Sequence, residues 1–101
     1  MPACKITVLK RVLNQDLADQ YCRSEVTPCS TFSEGQEFIV EYGDLPPDEF
    51  CDWAWNDIYP AYLALVKGSD FSPWMKEGNS MIRCCSDGVR PVVFMLERIS
   101  D

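Results

Sequence analysis

The chain contains no histidine. That absence removes the Ser-His-Asp and Cys-His nucleophilic mechanisms, the His-based zinc-protease motif and the Cys2His2 finger. Positive charge is scarce as well: nine Lys and Arg stand against sixteen Asp and Glu, a formal net charge of −7. No basic cluster exceeds Lys10-Arg11, so phosphate backbones and anionic lipid surfaces are repelled, and neither nucleic acid nor membrane is an expected partner. No apolar run is long enough to span a bilayer, and the opening residues, Met1-Pro2-Ala3-Cys4-Lys5, lack the hydrophobic stretch of a secretory signal. The expected setting is therefore the reducing cytoplasm, where the six cysteines stay as thiols and serve as buried hydrophobes, metal ligands or reactive groups. They include no CxxC pair, the arrangement in which one turn presents two thiolates to a metal.

What is present suits one domain with a single core: 101 residues, 47% hydrophobic and 25% charged. Residues 4–13 are β-branched and alternate around Ile6, Val8 and the aliphatic part of Lys10, which predicts a strand. Asn14 offers an N-cap to a short helix through Cys22, with Leu17, Ala18 and Tyr21 facing inward and acids in its first turn. Turn formers fill residues 25–35 and leave Cys29 in a loop. Phe38, Val40 and Tyr42 then alternate with Glu37, Ile39 and Glu41 as a second strand. Phe50, Ala54, Ile58, Ala61, Tyr62 and Leu65 recur at helical spacing, as one helix or two joined at Pro60, with a break or kink expected near Asn56–Tyr59. Residues 69–79 form a loop whose Phe71, Pro73, Trp74 and Met75 are expected to fold back over the core or over a pocket. Two β-rich runs, 80–85 and 92–99, flank Asp87-Gly88 and predict a C-terminal hairpin, its second strand apolar on both faces and so central. The expected fold is α+β, a small mixed or antiparallel sheet of about four strands with two or three helices on one face.

Chemistry falls to Cys, the carboxylates, Lys/Arg and Tyr. Cys29 lies in a loop, Cys51 opens the main helix, and Cys84-Cys85 end a strand before a turn, so thiols stand at the ends of three elements, where ligands and catalytic groups are usually mounted. A helix N-terminus favours a thiolate, which makes Cys51 the leading reactive thiol. Convergence of Cys29, Cys51 and Cys84, with or without Cys85, would hold zinc or an iron–sulfur cluster. Adjacent cysteines on a strand point to opposite faces, so one of Cys84 and Cys85 is expected at the site. The plain alternative is that these thiols are small core hydrophobes, the reading preferred for Cys4 and Cys22. Trp53, Trp55, Asp57, Tyr59 and Tyr62, with Trp74 from the loop, are the makings of an aromatic pocket in which Asp57 acts as acid or base. Against that, Trp53 and Tyr62 would be core and Asp57 a cap. Arg90 could hold a substrate carboxylate, or pair with Asp87 to tie down its own turn.

Pro28-Cys29, Gly35-Gln36-Glu37-Phe38, the run from Phe50 to Pro60 and the run from Cys84 to Phe94 together resemble a family of short proteins of anaerobic bacteria, archaea and some fungi that carries no established activity. The resemblance spans nearly the whole chain and implies homology rather than a mechanism. The resemblance implies that many relatives keep a cysteine at the positions of Cys29, Cys51 and Cys84, with proline often at that of Cys85 and histidine often at that of Phe32. If those positions make a Cys3His metal site in relatives, Phe32 removes one ligand here, and Cys85 would have to replace it or the site would be open or absent.

Two functions from different classes follow. In the first, a small cysteine-rich protein binds zinc or an iron–sulfur cluster through Cys29, Cys51, Cys84 and Cys85 beside an aromatic pocket. In the second, a cofactor-free enzyme of isomerase, dehydratase or decarboxylase type works on a small molecule, with Asp57, Cys51 or Tyr59 as the reacting group and Trp53, Trp55, Trp74 and Arg90 binding the substrate. A homo-oligomer or interaction module anchored on Trp55 or Trp74 is a third reading.

Overall fold

Alternating small and β-branched residues in Ala3–Arg11 build β1, a central strand of the computed structural model, which describes residues 2–43 and 46–99. Cys4, Ile6 and Val8 send their side chains into the core. A bulge between Val8 and Lys10 shifts the pairing register, so Lys10, expected to continue the inward phase, is exposed. The chain continues through α1 (Gln15–Tyr21), β2 (Glu37–Glu41), α2 (Asp52–Val66), β3 (Ser80–Cys84) and β4 (Val92–Ile99). The strands lie in the order β2-β1-β4-β3, each antiparallel to its neighbour. The expected α+β architecture with its four-stranded sheet and C-terminal hairpin is the one observed. β4, apolar on both faces, sits between β1 and β3.

The helix that covers the sheet is α2. Ala54, Ile58, Ala61, Tyr62, Leu65 and Val66 are its buried residues, the spacing of one apolar stripe. They pack with Ile6, Val8, Met81, Phe94 and Leu96 from the strands. No break occurs at Pro60: α2 runs unbroken through it. Asn56 and Pro60 are both exposed, so water can satisfy the carbonyl that loses its helical donor there. At the far end of α2, Arg98 Nη1 donates to the carbonyls of Leu65 and Ser69, each at 2.9 Å, which ties the last turn of α2 and the residues after it to β4. The Tyr62 hydroxyl donates to the Glu41 carbonyl at 2.6 Å and accepts the Gly43 N–H at 3.2 Å, tying α2 to the end of β2.

The shorter helix behaves differently from the expectation. In α1 only Ala18 is buried, and Leu17 and Tyr21, read as inward, are 39% and 74% exposed. Its anchor lies elsewhere: the Asn14 backbone N–H donates to the Val89 carbonyl at 2.7 Å, and Asn14 Nδ2 to the Gly88 carbonyl at 2.7 Å, so this side chain joins the β3–β4 loop instead of capping α1. Residues 69–79 do fold back over the core, with Phe71 and Met75 packed on it. They do so beyond the C-terminal end of α2.

The aromatic core predicts that Phe94→Ala, fully buried between Phe32 and Phe50, costs about 3–5 kcal/mol, whereas Tyr21→Ala changes stability by less than about 0.5 kcal/mol; urea unfolding of both variants checks this. Burial also pushes the Cys4 thiol from the ordinary 9.0 up to about 12. The native state therefore keeps a proton that the unfolded chain gives up. Its stabilising effect is complete below pH 9.0 and declines toward pH 12, by up to about 1.4 kcal/mol per pH unit. Cys4→Val should lower that alkaline slope by about one proton in urea titrations.

Candidate functional site

The site lies at the end of the sheet where β1 and β3 finish, β4 begins and α2 starts. Three segments bring it together. The loop before β2 is held by Arg11, whose Nη1 donates to the Cys29 carbonyl at 2.9 Å and whose backbone N–H reaches the Glu34 carboxylate at 3.3 Å. Gly35, at φ +85, turns this loop back into the sheet, its N–H on the Val8 carbonyl at 2.8 Å. Phe32 from the loop sinks between Phe38, Phe50 and Phe94 at ring distances of 6.1, 5.0 and 5.2 Å. Ahead of α2, the turn closed by the Phe50 N–H on the Pro47 carbonyl at 3.1 Å holds Glu49 at φ +65 and delivers Phe50 to the core. Cys51 then becomes the N-cap of α2, with no side-chain cap hydrogen bond.

The β3–β4 loop supplies the third wall. Asp87 organises it: its Oδ1 accepts the Val89 and Arg90 N–H groups at 2.9 and 3.0 Å, and its Oδ2 meets Arg90 Nε at 3.4 Å. The Arg90 N–H, chiefly, holds this carboxyl below the ordinary carboxylate value. The Asp87–Arg90 pair thus ties down its own turn. A second tether comes from α2, where Asp57 Oδ2 accepts the Ser86 N–H at 2.7 Å and Trp53 Nε1 donates to Ser86 Oγ at 2.5 Å.

Between these walls is a cavity of about 510 Å³ lined by Cys29, Thr31 and Phe32 from the first loop, Cys51, Trp53 and Ala54 from the start of α2, and Cys85 to Gly88, Arg90 and Val92 from the β3–β4 segment. Of the two vicinal cysteines it is Cys85 that reaches the cavity; Cys84 is exposed on β3, opposite Val93. Cys85 Sγ accepts the Val92 N–H at 3.3 Å. Arg90 also borders a shallower hollow of about 380 Å³ with Cys22, Glu25 and Val26.

Several expected members stand elsewhere. Trp55 packs on Phe50, Tyr59 and Tyr62 at 6.0, 5.6 and 5.2 Å as part of the aromatic core, and Tyr59 stacks beside it, 41% exposed. Trp74 is 65% exposed against Phe71 at 5.4 Å, at the opposite end of the domain. Asp57 binds the Ser86 amide and is not among the cavity's lining residues. Of the five rings expected at a pocket, Tyr62 is core, Trp55 packs against the core, Tyr59 and Trp74 are exposed away from the cavity, and Trp53 lines it. Thr31, Ser86 and Val92 line the cavity with no functional sign in the sequence beyond the adjacency of Ser86 to Asp87-Gly88, and Ala54, expected on the buried stripe of α2, lines it as well.

Metal ligation asks for several donors around one point. Among the described residues no group of three or more His, Cys, Asp or Glu side chains is arranged to hold a metal ion. Cys29, Cys51 and Cys85 line one cavity without forming such a group, and Cys84 stands outside it. No family model, curated protein or solved structure matches this chain, and the resemblance drawn from its residues assigns no site.

Asp57→Ala should release the Ser86 amide, raising its hydrogen-exchange rate by about tenfold at a cost of about 1 kcal/mol. Unchanged exchange at Ser86 would mean that the tether carries no weight.

Proposed function

We propose that the chain binds a small, largely apolar molecule in the cavity between Cys51, Phe32, Trp53 and Cys85, as a cofactor-free site whose reactive groups are thiols. The supporting observation is the cavity itself: about 510 Å³, within the range of small-molecule sites, with Phe32, Trp53, Ala54 and Val92 as its apolar members and Thr31, Ser86, Asp87 and Arg90 as its polar ones, a mixture usual in such sites. Arg90 and the exposed indole of Trp53 stand at its rim, where an amphipathic ligand would place its polar end. Of the reacting groups considered for a cofactor-free enzyme, the thiols line the cavity and Asp57 and Tyr59 do not. An isomerase, dehydratase or decarboxylase built here would use Cys51, Cys29 or Cys85 as its acid, base or nucleophile.

The zinc or iron–sulfur reading keeps one observation in its favour, the shared wall of Cys29, Cys51 and Cys85. It would need the loops to close until the sulfurs meet.

Titration with anilinonaphthalene sulfonate, an aromatic anion small enough for the cavity, tests the proposal. We expect saturable one-site binding, with Trp53 fluorescence quenched, and a loss of affinity of about tenfold or more in Thr31→Trp, which fills the mouth from an exposed position. Absence of binding to the folded protein, or equal binding by Thr31→Trp, would overturn it. So would stoichiometric zinc, or iron with acid-labile sulfide, in protein purified without oxygen.

A further inference from the structure

The six thiols fall into distinct environments, with Cys22 half-buried at the separate hollow it shares with Glu25 and Val26. Cys4 has no exposure and its thiol is pushed up to about 12, the condition of an inert core residue. Cys84 is exposed on an edge strand. Cys29, Cys51 and Cys85 are neither: each is half-buried, with the core on one side and the same cavity on the other, and none is in a disulfide. A cavity that needed only apolar contact would be served by Ala or Val at these positions. Three polarisable nucleophiles around a space they share with Phe32, Trp53, Ala54 and Val92 suit a flat ligand with a soft electrophilic carbon.

We propose that the cavity takes an α,β-unsaturated carbonyl compound and that Cys51 adds to its β-carbon. The idea rests on the small-molecule reading above and names its ligand class. In the step, the sulfur electron pair forms a C–S bond at the β-carbon, and the carbon–carbon π pair shifts to give the enolate. The proton released by the thiol reaches the α-carbon through water. Thiol and enone become a thioether with no oxidant or reductant, and the reverse sequence releases the ligand. Cys51 is chosen over its neighbours on position. It begins α2, whose first-turn residues Trp53 and Ala54 line the same cavity, and backbone N–H groups at that position have no intrahelical acceptor to compete with an enolate oxygen. Cys85 Sγ already accepts the Val92 N–H.

The experiment uses N-phenylmaleimide, a flat apolar acceptor, on the intact chain, with each cysteine followed by peptide mass mapping. The expected result is modification of Cys51 first, at least about tenfold faster than exposed Cys84, because a bound acceptor reacts as a unimolecular pair. Its rate should saturate with reagent concentration, while that of Cys84 rises linearly. Anilinonaphthalene sulfonate should slow Cys51 and leave Cys84 unchanged. Cys51→Ser should abolish the fast phase and Cys84→Ser should retain it; if Cys51→Ser fails to fold, the mapping on the unaltered chain decides alone. Modification of Cys84 first, or linear rates at every thiol, overturns the proposal. If the sulfonate dye binds while Cys51 shows no preference, the electrophile class is wrong and the small-molecule reading stands. If neither saturation nor dye binding is seen, both fall.

Discussion

Phe32, Phe50 and Phe94 meet at ring distances of 5.0, 5.2 and 5.7 Å, and the cavity exists because they do. Phe94 belongs to the rigid centre of the sheet. Phe32 and Phe50 belong to irregular segments with no strand or helix of their own to hold them. Burying the two rings against Phe94 brings both segments to one end of the sheet and leaves Cys29 and Cys51 lining the same space. Each ring is worth several kcal/mol when truncated, more than any single hydrogen bond in these loops.

That difference in scale organises the molecule. The sheet, α2 and the phenylalanines carry the stability, whereas the exposed Lys5–Glu37 pair at 3.7 Å adds about 0–1 kcal/mol. The upper walls of the cavity are held by several individually modest hydrogen bonds, among them Arg11 to the Cys29 carbonyl, Asn14 to the Gly88 carbonyl and Asp57 to the Ser86 amide. Such walls sit at the low end of local stability and open before the core does. A site with Phe32 anchored in the aromatic core and hydrogen-bonded rims admits a ligand without unfolding its scaffold.

The scaffold was legible in the sequence where pattern and packing agree. Residues 92–99 are apolar on both faces because β4 is central, and the stripe from Ala54 to Val66 is the face α2 lays on the sheet. Pattern failed where a tertiary contact overrode it: Asn14 looks like a cap but spends its amide on Gly88, and Pro60 looks like a break but sits where solvent replaces its missing donor. The thiols were visible as candidates, since cysteines at element ends can be read from the chain. Their grouping was not. The cavity draws its walls from residues 29–32, 51–54 and 85–92, which no local periodicity connects, and strand alternation allowed one of Cys84 and Cys85 without saying which. The aromatic residues misled for the reverse reason, because helical spacing is the same for a core stripe and for a pocket, and Trp55 and Tyr62 proved to be core.

Everything proposed for function depends on Cys29, Cys51 and Cys85 facing one space beside that aromatic core. Nuclear Overhauser contacts from cysteine-labelled protein measure this directly. The account predicts that the β-protons of all three show contacts to a shared set of lining side chains, Phe32, Ala54 and Val92, while those of Cys84 do not. Contacts of Cys29 confined to its own loop would contradict it.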